Sequence, residues 1–267
     1  MRAESTTAVV LRTLAFGESD KIVTLLTPDE GKLNGIARGA KRSLRRFGGA
    51  LELFSHVRVD LRQRRTAELA FLERAVLIRP WRRLLTSLER YAAASHVIEV
   101  ADKLTAEREV GDRLYSVVVA SLTRLDEDEP GPMTLRLFEL AALAACGYRY
   151  DFTRCTGCRR SLTATDLRGF LGESGVICPD CAGSAGPALA LSARAIGALS
   201  RLQSLASLAV PVEGNGRIGP CDLYSGESAL DATAVDGELG RALALLLAPC
   251  LRGRLRSLEL LGPILRP

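Results

Sequence analysis

The strongest constraint on the fold of this chain is a set of four cysteines in two pairs, "CTGC" (Cys155 and Cys158) and "CPDC" (Cys178 and Cys181), separated by 19 residues. This C-x2-C-x19-C-x2-C spacing is typical of structural zinc sites, because each pair points two thiolates from one tight turn at the same ion. Four thiolates complete a tetrahedron and leave no position for a catalytic water. The spacing therefore predicts one structural zinc ion per chain, with a hairpin between the pairs at 170–177.

Two other uses of paired cysteines fit this chain less well. Disulfides need an oxidising compartment, whereas the first residues contain Glu4 and no apolar run of signal-peptide length. A redox C-x-x-C motif needs no second pair. The longest apolar run, 242–250, is too short to cross a membrane. We therefore expect a cytoplasmic protein without a membrane segment, in which the other cysteines are small packing residues: Cys146, Cys221 and Cys250.

Positive charge is concentrated near the N-terminus. Residues 1–80 contain 15 Lys/Arg and 9 Asp/Glu, a net charge of +6, whereas the remaining residues contain 21 and 22, a net charge of −1. This asymmetry favours contact between the N-terminal part and a polyanion, although surface charge that only aids solubility explains it equally well. The densest stretch, 31–46, has no acidic residue and six basic ones: Lys32, Arg38, Lys41, Arg42, Arg45 and Arg46.

Hydrophobic periodicity changes at residue 80. Before it, short extended runs alternate with turns, and apolar and polar side chains alternate over 54–62. Five short strands without a long helix indicate a small barrel, with His56 on its polar surface. After it, apolar residues recur at helical spacing, with Pro80 expected at the first helical position. The predicted units are a barrel at 1–80, a helical domain in two parts at 81–153 and 187–267, and a zinc module at 154–186.

Motifs for catalysis are missing from the sequence. It contains no G-x-S-x-G, no H-E-x-x-H and no phosphate-binding loop. The acidic run 126–130 ends in a proline and is typical of a solvated loop rather than a metal-dependent nuclease. His96 and Glu99, three residues apart on a predicted helix, are expected to be a packed or surface pair. We therefore expect a binding protein and not an enzyme.

Several segments resemble the bacterial RecO family of recombination mediators in the same order along the chain. They are "LLTPDEGKLNGIARGAKR", "LELFSHVRVDL", "GYRYDFTRCTGC", "GVICPDC" and the C-terminal "RLRSLELL". The loop after Arg46 and the glycine-rich stretch around Gly214 match less well. The resemblance implies an α+β multidomain protein: an N-terminal OB-fold β-barrel followed by an α-helical bundle that carries the four-cysteine zinc module as an insertion.

The resemblance also implies a function in DNA repair. A protein of this family is expected to bind single- and double-stranded DNA, to anneal complementary strands and to act with RecR. Contact with the C-terminal tail of the single-strand-binding protein would let it help load RecA onto coated DNA. Such a mediator works by competing and bridging, which agrees with the lack of an ATP-binding motif.

In such a barrel the basic stretch would be a hairpin strand and the loop that follows it, and its cations would track phosphates. Phe47 beside it either stacks on a base or packs under the loop. Two readings from other classes remain open, a zinc-stabilised helical adaptor for proteins and an RNA-binding barrel protein. If the stretch is only a solvated face, Arg252, Arg254 and Arg256 are the next candidates. The residues predicted to contact DNA are Lys32, Arg38, Lys41, Arg42, Arg45, Arg46, Arg58, Arg62 and Arg64.

Overall fold

A five-stranded barrel forms the N-terminal part of the computed structural model, which describes residues 2–63, 69–106, 111–162, 169–172, 175–183, 189–209 and 235–261. The strands close in the order β1-β2-β3-β5-β4, with β3 and β5 parallel and the other pairs antiparallel. This is the expected OB-fold arrangement. The barrel elements are β1 (Arg2–Phe16), β2 (Asp20–Thr27), β3 (Gly31–Ala37), the one-turn helix α1 (Leu44–Phe47), β4 (His56–Gln63) and β5 (Ala70–Arg79).

Aliphatic side chains fill most of the barrel core. They come from the inward positions of the strands, which alternate with outward positions. Along β3, the buried positions from Gly31 to Ala37 alternate with half-buried ones. At Gly35 a Cβ atom would lie 2.0 Å from Cδ1 of Leu72, so only glycine fits there. Phe47, on α1, is 2% exposed and belongs to the barrel core.

Helices of the second part pack around α4, which contacts α2, α3, α6 and α7. The long helix α2 begins after Ser87, whose Oγ accepts a hydrogen bond from the backbone N–H of Arg90 at 3.2 Å. The prediction that Pro80 begins this helix was therefore wrong, because the cap lies at Ser87. The helical elements are a 3-10 turn (Arg82–Leu85), α2 (Leu88–Leu104), α3 (Asp112–Glu127), α4 (Pro132–Ala145), α6 (Ala193–Ala209), α7 (Asp236–Leu247) and α8 (Ser257–Leu261).

A small three-stranded sheet lies between α4 and α6 in the chain. Its elements are β6 (Gly169–Gly172), β7 (Gly175–Ile177), the short helix α5 (Pro179–Ala182) and β8 (Leu189–Leu191). β6 and β7 form the predicted hairpin, with Phe170 opposite Ile177. β8 lies beyond the expected module end at 186, yet it pairs with β6. Leu171 and Val176 join the apolar core of the helices, which fixes this sheet to the bundle.

A buried polar network connects four helices of the bundle. His96 on α2 lies with Nε2 2.8 Å from Glu139 Oε1 on α4 and with Nδ1 3.1 Å from the Ser257 hydroxyl on α8. Arg136 donates to Glu139 at 3.0 Å and to Asp236 on α7 at 3.2 Å. Burial raises the pKa of Glu139, but the charge of Arg136 and the contact with His96 outweigh it and hold that pKa below its usual value.

Glu99 joins this network at Ser257 rather than at His96. Its carboxylate accepts hydrogen bonds from the backbone N–H groups of Arg256 at 2.9 Å and Ser257 at 2.7 Å, so it holds the N-terminal end of α8. The predicted pairing of His96 with Glu99 was therefore wrong. Each residue has a partner far away in the sequence, Glu139 for His96 and the start of α8 for Glu99.

The acidic run 126–130 is largely exposed to solvent, as predicted, but it begins within α3 and its residues also pair with arginines. Buried Arg90 donates to the backbone oxygens of Leu125 and Asp128, and its Nη2 lies 2.5 Å from Glu129 Oε1. Glu127 pairs at 2.6 Å with Arg79 at the end of β5. The negative residues are placed here because they balance arginines of the barrel and of α2, which a count of local charge does not reveal.

Candidate nucleic-acid interface and metal centre

The four cysteines of the two C-x-x-C pairs meet at one point. The Sγ atoms of Cys155, Cys158, Cys178 and Cys181 all lie within 4.8 Å of one another. In the first turn, the N–H of Arg159 donates to the oxygen of Cys155 at 2.9 Å, and Arg159 has a left-handed φ of 64°. In the second, Cys178 directly precedes α5 and accepts from the N–H of Cys181 at 3.1 Å. The predicted cluster is confirmed.

The pKa values of neighbouring thiols in this cluster are shifted in opposite directions, which suits the binding of a cation. Burial raises the pKa of the Cys155 thiol, but N–H groups of Cys158, Cys178 and Gly157 outweigh it and lower that pKa to about 6. Hydrogen bonds with Cys178 and Cys158 raise the pKa of Cys181 to about 12. Four thiols this close cannot all ionise unless a cation balances them, and a soft set of four sulfurs suits zinc.

Gly157 provides space in this cluster rather than relief of backbone strain. A Cβ atom at this position would lie 3.2 Å from Sγ and 3.3 Å from Cβ of Cys181. The left-handed residue of the first turn is Arg159. The close approach of Cys181 is therefore what excludes a side chain at position 157.

The basic segment, residues 31–46, continues from β3 into a turn and the short helix α1. Two hydrogen bonds attach its turn to the neighbouring β1–β2 turn: Lys41 N–H donates to Ser19 O at 2.9 Å, and Gly39 N–H donates to Asp20 Oδ1 at 2.8 Å. The Gly39 bond, together with the Ser19 hydroxyl, holds the pKa of Asp20 below its usual value. Five basic residues of the segment are exposed on this anchored turn: Arg38, Lys41, Arg42, Arg45 and Arg46.

These five cations differ in the contacts that their side chains already make within the protein. Lys41 Nζ donates to Gly17 O at 2.8 Å, and Arg46 Nη2 donates to Arg38 O at 2.7 Å. Arg38 lies with Cζ 5.2 Å from the ring centre of Phe71. Within the described part of the chain, the side chains of Arg42 and Arg45 form neither a hydrogen bond nor an ion pair. They are therefore the cations of the segment most available to phosphates.

The structure places Lys32 away from this group. Its side chain is 13% exposed, and Nζ lies 3.0 Å from Asp102 Oδ1 and 2.5 Å from Asp102 O on α2. It connects the barrel to the helices. Arg58 is exposed on β4, and Arg62 on the same strand pairs with Glu73 at 2.7 Å. Arg64 lies outside the described residues.

Phe47 is buried and His56 is half-buried. Phe47 is 2% exposed, with Arg46 Cζ 5.2 Å from its ring centre, so of the two alternatives for this ring the structure shows packing under the basic segment. His56 does not lie open on the polar face of the barrel, because its ring stacks 5.6 Å from Trp81 and its Nε2 lies 2.8 Å from the hydroxyl of Tyr115 on α3. Burial lowers the pKa of His56, and Arg79 lowers it further. His56 therefore belongs to the barrel–helix interface.

Sequence reasoning missed an apolar area on the outer face of the barrel. A row of cross-strand neighbours runs over four strands, Leu14 opposite Ile22, Ile22 opposite Ile36 and Ile36 opposite Phe71. Phe16, two residues beyond Leu14, is 51% exposed at the end of β1. An outward aromatic at a strand end beside a turn was the available signal. The next candidates of the sequence, Arg252, Arg254 and Arg256, are exposed elsewhere, on the segment before α8.

None of the helices that the structure describes combines the length and the apolar character needed to cross a bilayer.

Comparison with known proteins covers both parts of the chain. Residues 1–81 match the family model described as Recombination protein O N terminal, and residues 85–215 match Recombination protein O C terminal. The boundary between the two matches lies within the transition from barrel to helices.

Individual relatives align over nearly the whole length. The chain is 36% identical over 261 residues to the DNA repair protein RecO of Anaeromyxobacter sp. (strain K), with 97% of each protein covered. It is 34% identical over 231 residues to that of Roseiflexus sp. (strain RS-1), covering 86% of this chain and 80% of the relative. It is 33% identical over 259 residues to that of Symbiobacterium thermophilum, covering 96% and 95%.

Proposed function

Since this chain belongs to the RecO family of DNA repair and recombination proteins, we propose that it is a non-enzymatic recombination mediator that binds single- and double-stranded DNA and anneals complementary strands. With RecR, it would help load RecA onto DNA coated by the single-strand-binding protein. The place of action would be the cytoplasm, at the nucleoid.

One observation carries the DNA-binding part of this proposal. The basic segment is anchored to the β1–β2 turn and presents to solvent the side chains of Arg42 and Arg45, which have no partner among the described residues. Cations held on a firm backbone neutralise phosphates at little cost in conformational entropy. Beside them lies the open apolar area of the barrel, and OB-folds bind oligonucleotides on this kind of surface.

Direct titration of the whole protein tests this function. Fluorescence anisotropy with labelled single-stranded DNA, duplex DNA and single-stranded RNA of one sequence gives three affinities under the same salt. We expect binding to both DNA forms and faster annealing of complementary strands when protein is added. Tight binding to RNA alone would favour the RNA-binding alternative, and failure to bind any of the three at low salt would reject a nucleic-acid function.

The partner part of the proposal concerns the helical region. We expect the acidic C-terminal tail peptide of the single-strand-binding protein to bind the helices rather than the barrel. The variant Arg42→Ala/Arg45→Ala, in the barrel, provides the control, because it should keep peptide binding while losing DNA binding. If the variant loses both together, the peptide binds on or near the basic segment and the assignment to the helices is wrong.

Zinc completes the proposal as the structural ion of the cysteine cluster. Cys155, Cys158, Cys178 and Cys181 would hold it, and four sulfur ligands leave no open position for chemistry. The ion would fix the small sheet against α6 and stabilise the helical part. Metal analysis of protein purified without chelators should give one zinc per chain, and a protein that is folded and free of metal would contradict this.

A further inference from the structure

The open outer face of the barrel combines exposed apolar and aromatic side chains with the basic segment. Leu14 is 45% exposed and Phe16 is 51% exposed, whereas Ile22, Ile36 and Phe71 are half-buried. Cross-strand partners in a sheet point to the same face, as do residues two apart on one strand. All five side chains therefore share this face, at the end of the barrel where β1 and β2 turn.

Helices cover the other end of the same face. Val9, Leu11 and Leu26 belong to the apolar core of the helical part, and Lys32 is bonded there to Asp102 on α2. A β-bulge between Val10 and Arg12 shifts the register of β1, so that outward positions continue toward Phe16 on the open side. The exposed apolar area is therefore the part of this face that the helices do not cover.

Positive charge borders the open area on two sides. The turn of the basic segment is bonded to Gly17, Ser19 and Asp20, the residues that directly follow Phe16. Arg38 places its guanidinium over the Phe71 ring, with Cζ 5.2 Å from the ring centre. On β4, Arg62 is the cross-strand neighbour of Phe71, and its pairing with Glu73 at 2.7 Å balances part of the charge on this side. Two aromatic rings on one face, edged by cations, match the chemistry of a single strand of nucleic acid, whose bases are flat and whose backbone is negative.

We propose that Phe16 and Phe71 are base-stacking residues for single-stranded DNA and that they make the barrel favour single strands over duplex. This rests on the proposed DNA-binding function and adds to it. Phosphate contacts by Arg42 and Arg45 act on both forms of DNA. Aromatic rings on a protein surface receive only unpaired bases, because the faces of bases in a duplex are already stacked on one another. The Arg38 guanidinium shows that the Phe71 ring accepts a flat cationic partner, and a base stacks there in its place or against it.

Two substitutions test the rings separately. Phe16→Ala removes a half-exposed ring, and Phe71→Leu removes a ring but keeps an apolar side chain at a half-buried site. Each should weaken binding to a single-stranded oligonucleotide by roughly fivefold to 150-fold, the range for loss of one base–aromatic stack. The slope of log affinity against log salt should stay the same, because no phosphate contact is lost. Duplex affinity should change less than twofold, and Leu88→Ala, at a 62% exposed position on α2, is the matched control.

A fluorescent ring gives a second reading. Phe16→Trp should retain single-strand binding, and its emission should be quenched on addition of single-stranded oligonucleotide but not of duplex. The natural Trp81 is 3% exposed and supplies a constant background.

The outcomes separate this inference from the proposed function. If Arg42→Ala/Arg45→Ala weakens both DNA forms while Phe16→Ala and Phe71→Leu weaken neither, DNA binding stands and stacking is rejected. Equal weakening of single strands and duplex by the phenylalanine variants also rejects stacking, because it indicates a general change in the barrel. Melting temperatures of the variants identify that case. If the unaltered protein binds no DNA, the proposed function fails first.

Discussion

Removing the two unengaged arginines of the basic segment is the sharpest test of how this protein holds DNA. The side chains of Arg42 and Arg45 are exposed and make no hydrogen bond or ion pair in the described part of the chain, so Arg42→Ala/Arg45→Ala should leave the fold intact. The other cations of the turn are partly occupied, Lys41 by Gly17 and Arg46 by Arg38. The double variant therefore removes the two cations of the turn whose side chains make the fewest contacts within the protein.

Counterion release sets the expected magnitude. Each phosphate contact contributes about 0.7 to the slope of log affinity against log salt on single strands and about 0.9 on duplex. Loss of two contacts should flatten the slope by about 1.4 on single strands and about 1.8 on duplex. The unaltered protein should bind single strands more tightly than the variant, and the ratio of the two affinities should fall about sevenfold when salt rises from about 50 to about 200 mM.

Anisotropy titrations at four or five salt concentrations measure these slopes. Affinity should fall equally for different DNA sequences, since phosphate contacts carry no base information. Arg252→Ala/Arg256→Ala is the matched control, because it removes two exposed arginines from the segment before α8. An unchanged slope in the Arg42/Arg45 variant would refute the reasoning. A flattened slope in the control alone would move the DNA site to that segment.

Three further predictions concern the helical part. Cys178→Ser should abolish stoichiometric zinc binding and lower the melting temperature, as metal analysis and calorimetry would show; full zinc retention would contradict a four-cysteine site. Gly240→Ala should lower the free energy of unfolding by about 2 kcal/mol, because its Cβ would lie 2.8 Å from Nη2 of the buried Arg136. Gly197→Ala, with open space around it, is the control and should raise the free energy of unfolding by up to about 1 kcal/mol; denaturant titrations measure both. Burial raises the pKa of Glu99, but two backbone N–H groups outweigh it and lower that pKa to about 2. The contribution of this carboxylate to stability is therefore complete above its ordinary pKa and is lost as pH falls toward 2. Glu99→Gln should make the free energy of unfolding less dependent on pH between pH 5 and pH 2, and an unchanged pH profile would exclude this role.

Local patterns were sufficient to predict the architecture. Alternation of apolar and polar residues over 54–62 predicted β4, and the change of period predicted the helices after the barrel. The spacing of the cysteines predicted a cluster because ligands of one ion must come from tight turns. In each case the physical cause lies within a few neighbouring residues, or within a repeat that the chain itself displays.

Contacts between distant segments could not be predicted in this way. Lys32 was grouped with the phosphate-binding cations, yet its partner Asp102 lies 70 residues away. His96 was paired with its neighbour on the helix, whereas Glu139 lies 43 residues away. Phe16 drew no prediction of its own, because its exposure depends on where the helices cover the barrel. Each of these depends on tertiary packing, which a single sequence does not display.

The buried polar network also sets the order in which the protein can be completed during synthesis. The strands of the barrel end at Arg79, so the barrel can close while most of the chain is still to be made. The partners of His96 and Arg136 arrive much later, since Asp236 follows Arg136 by 100 residues and Ser257 follows His96 by 161. Until then the nascent chain consists of a barrel joined to an apolar helical segment that lacks its partners Asp236 and Ser257, and this is the stage at which it most needs protection from aggregation and proteolysis.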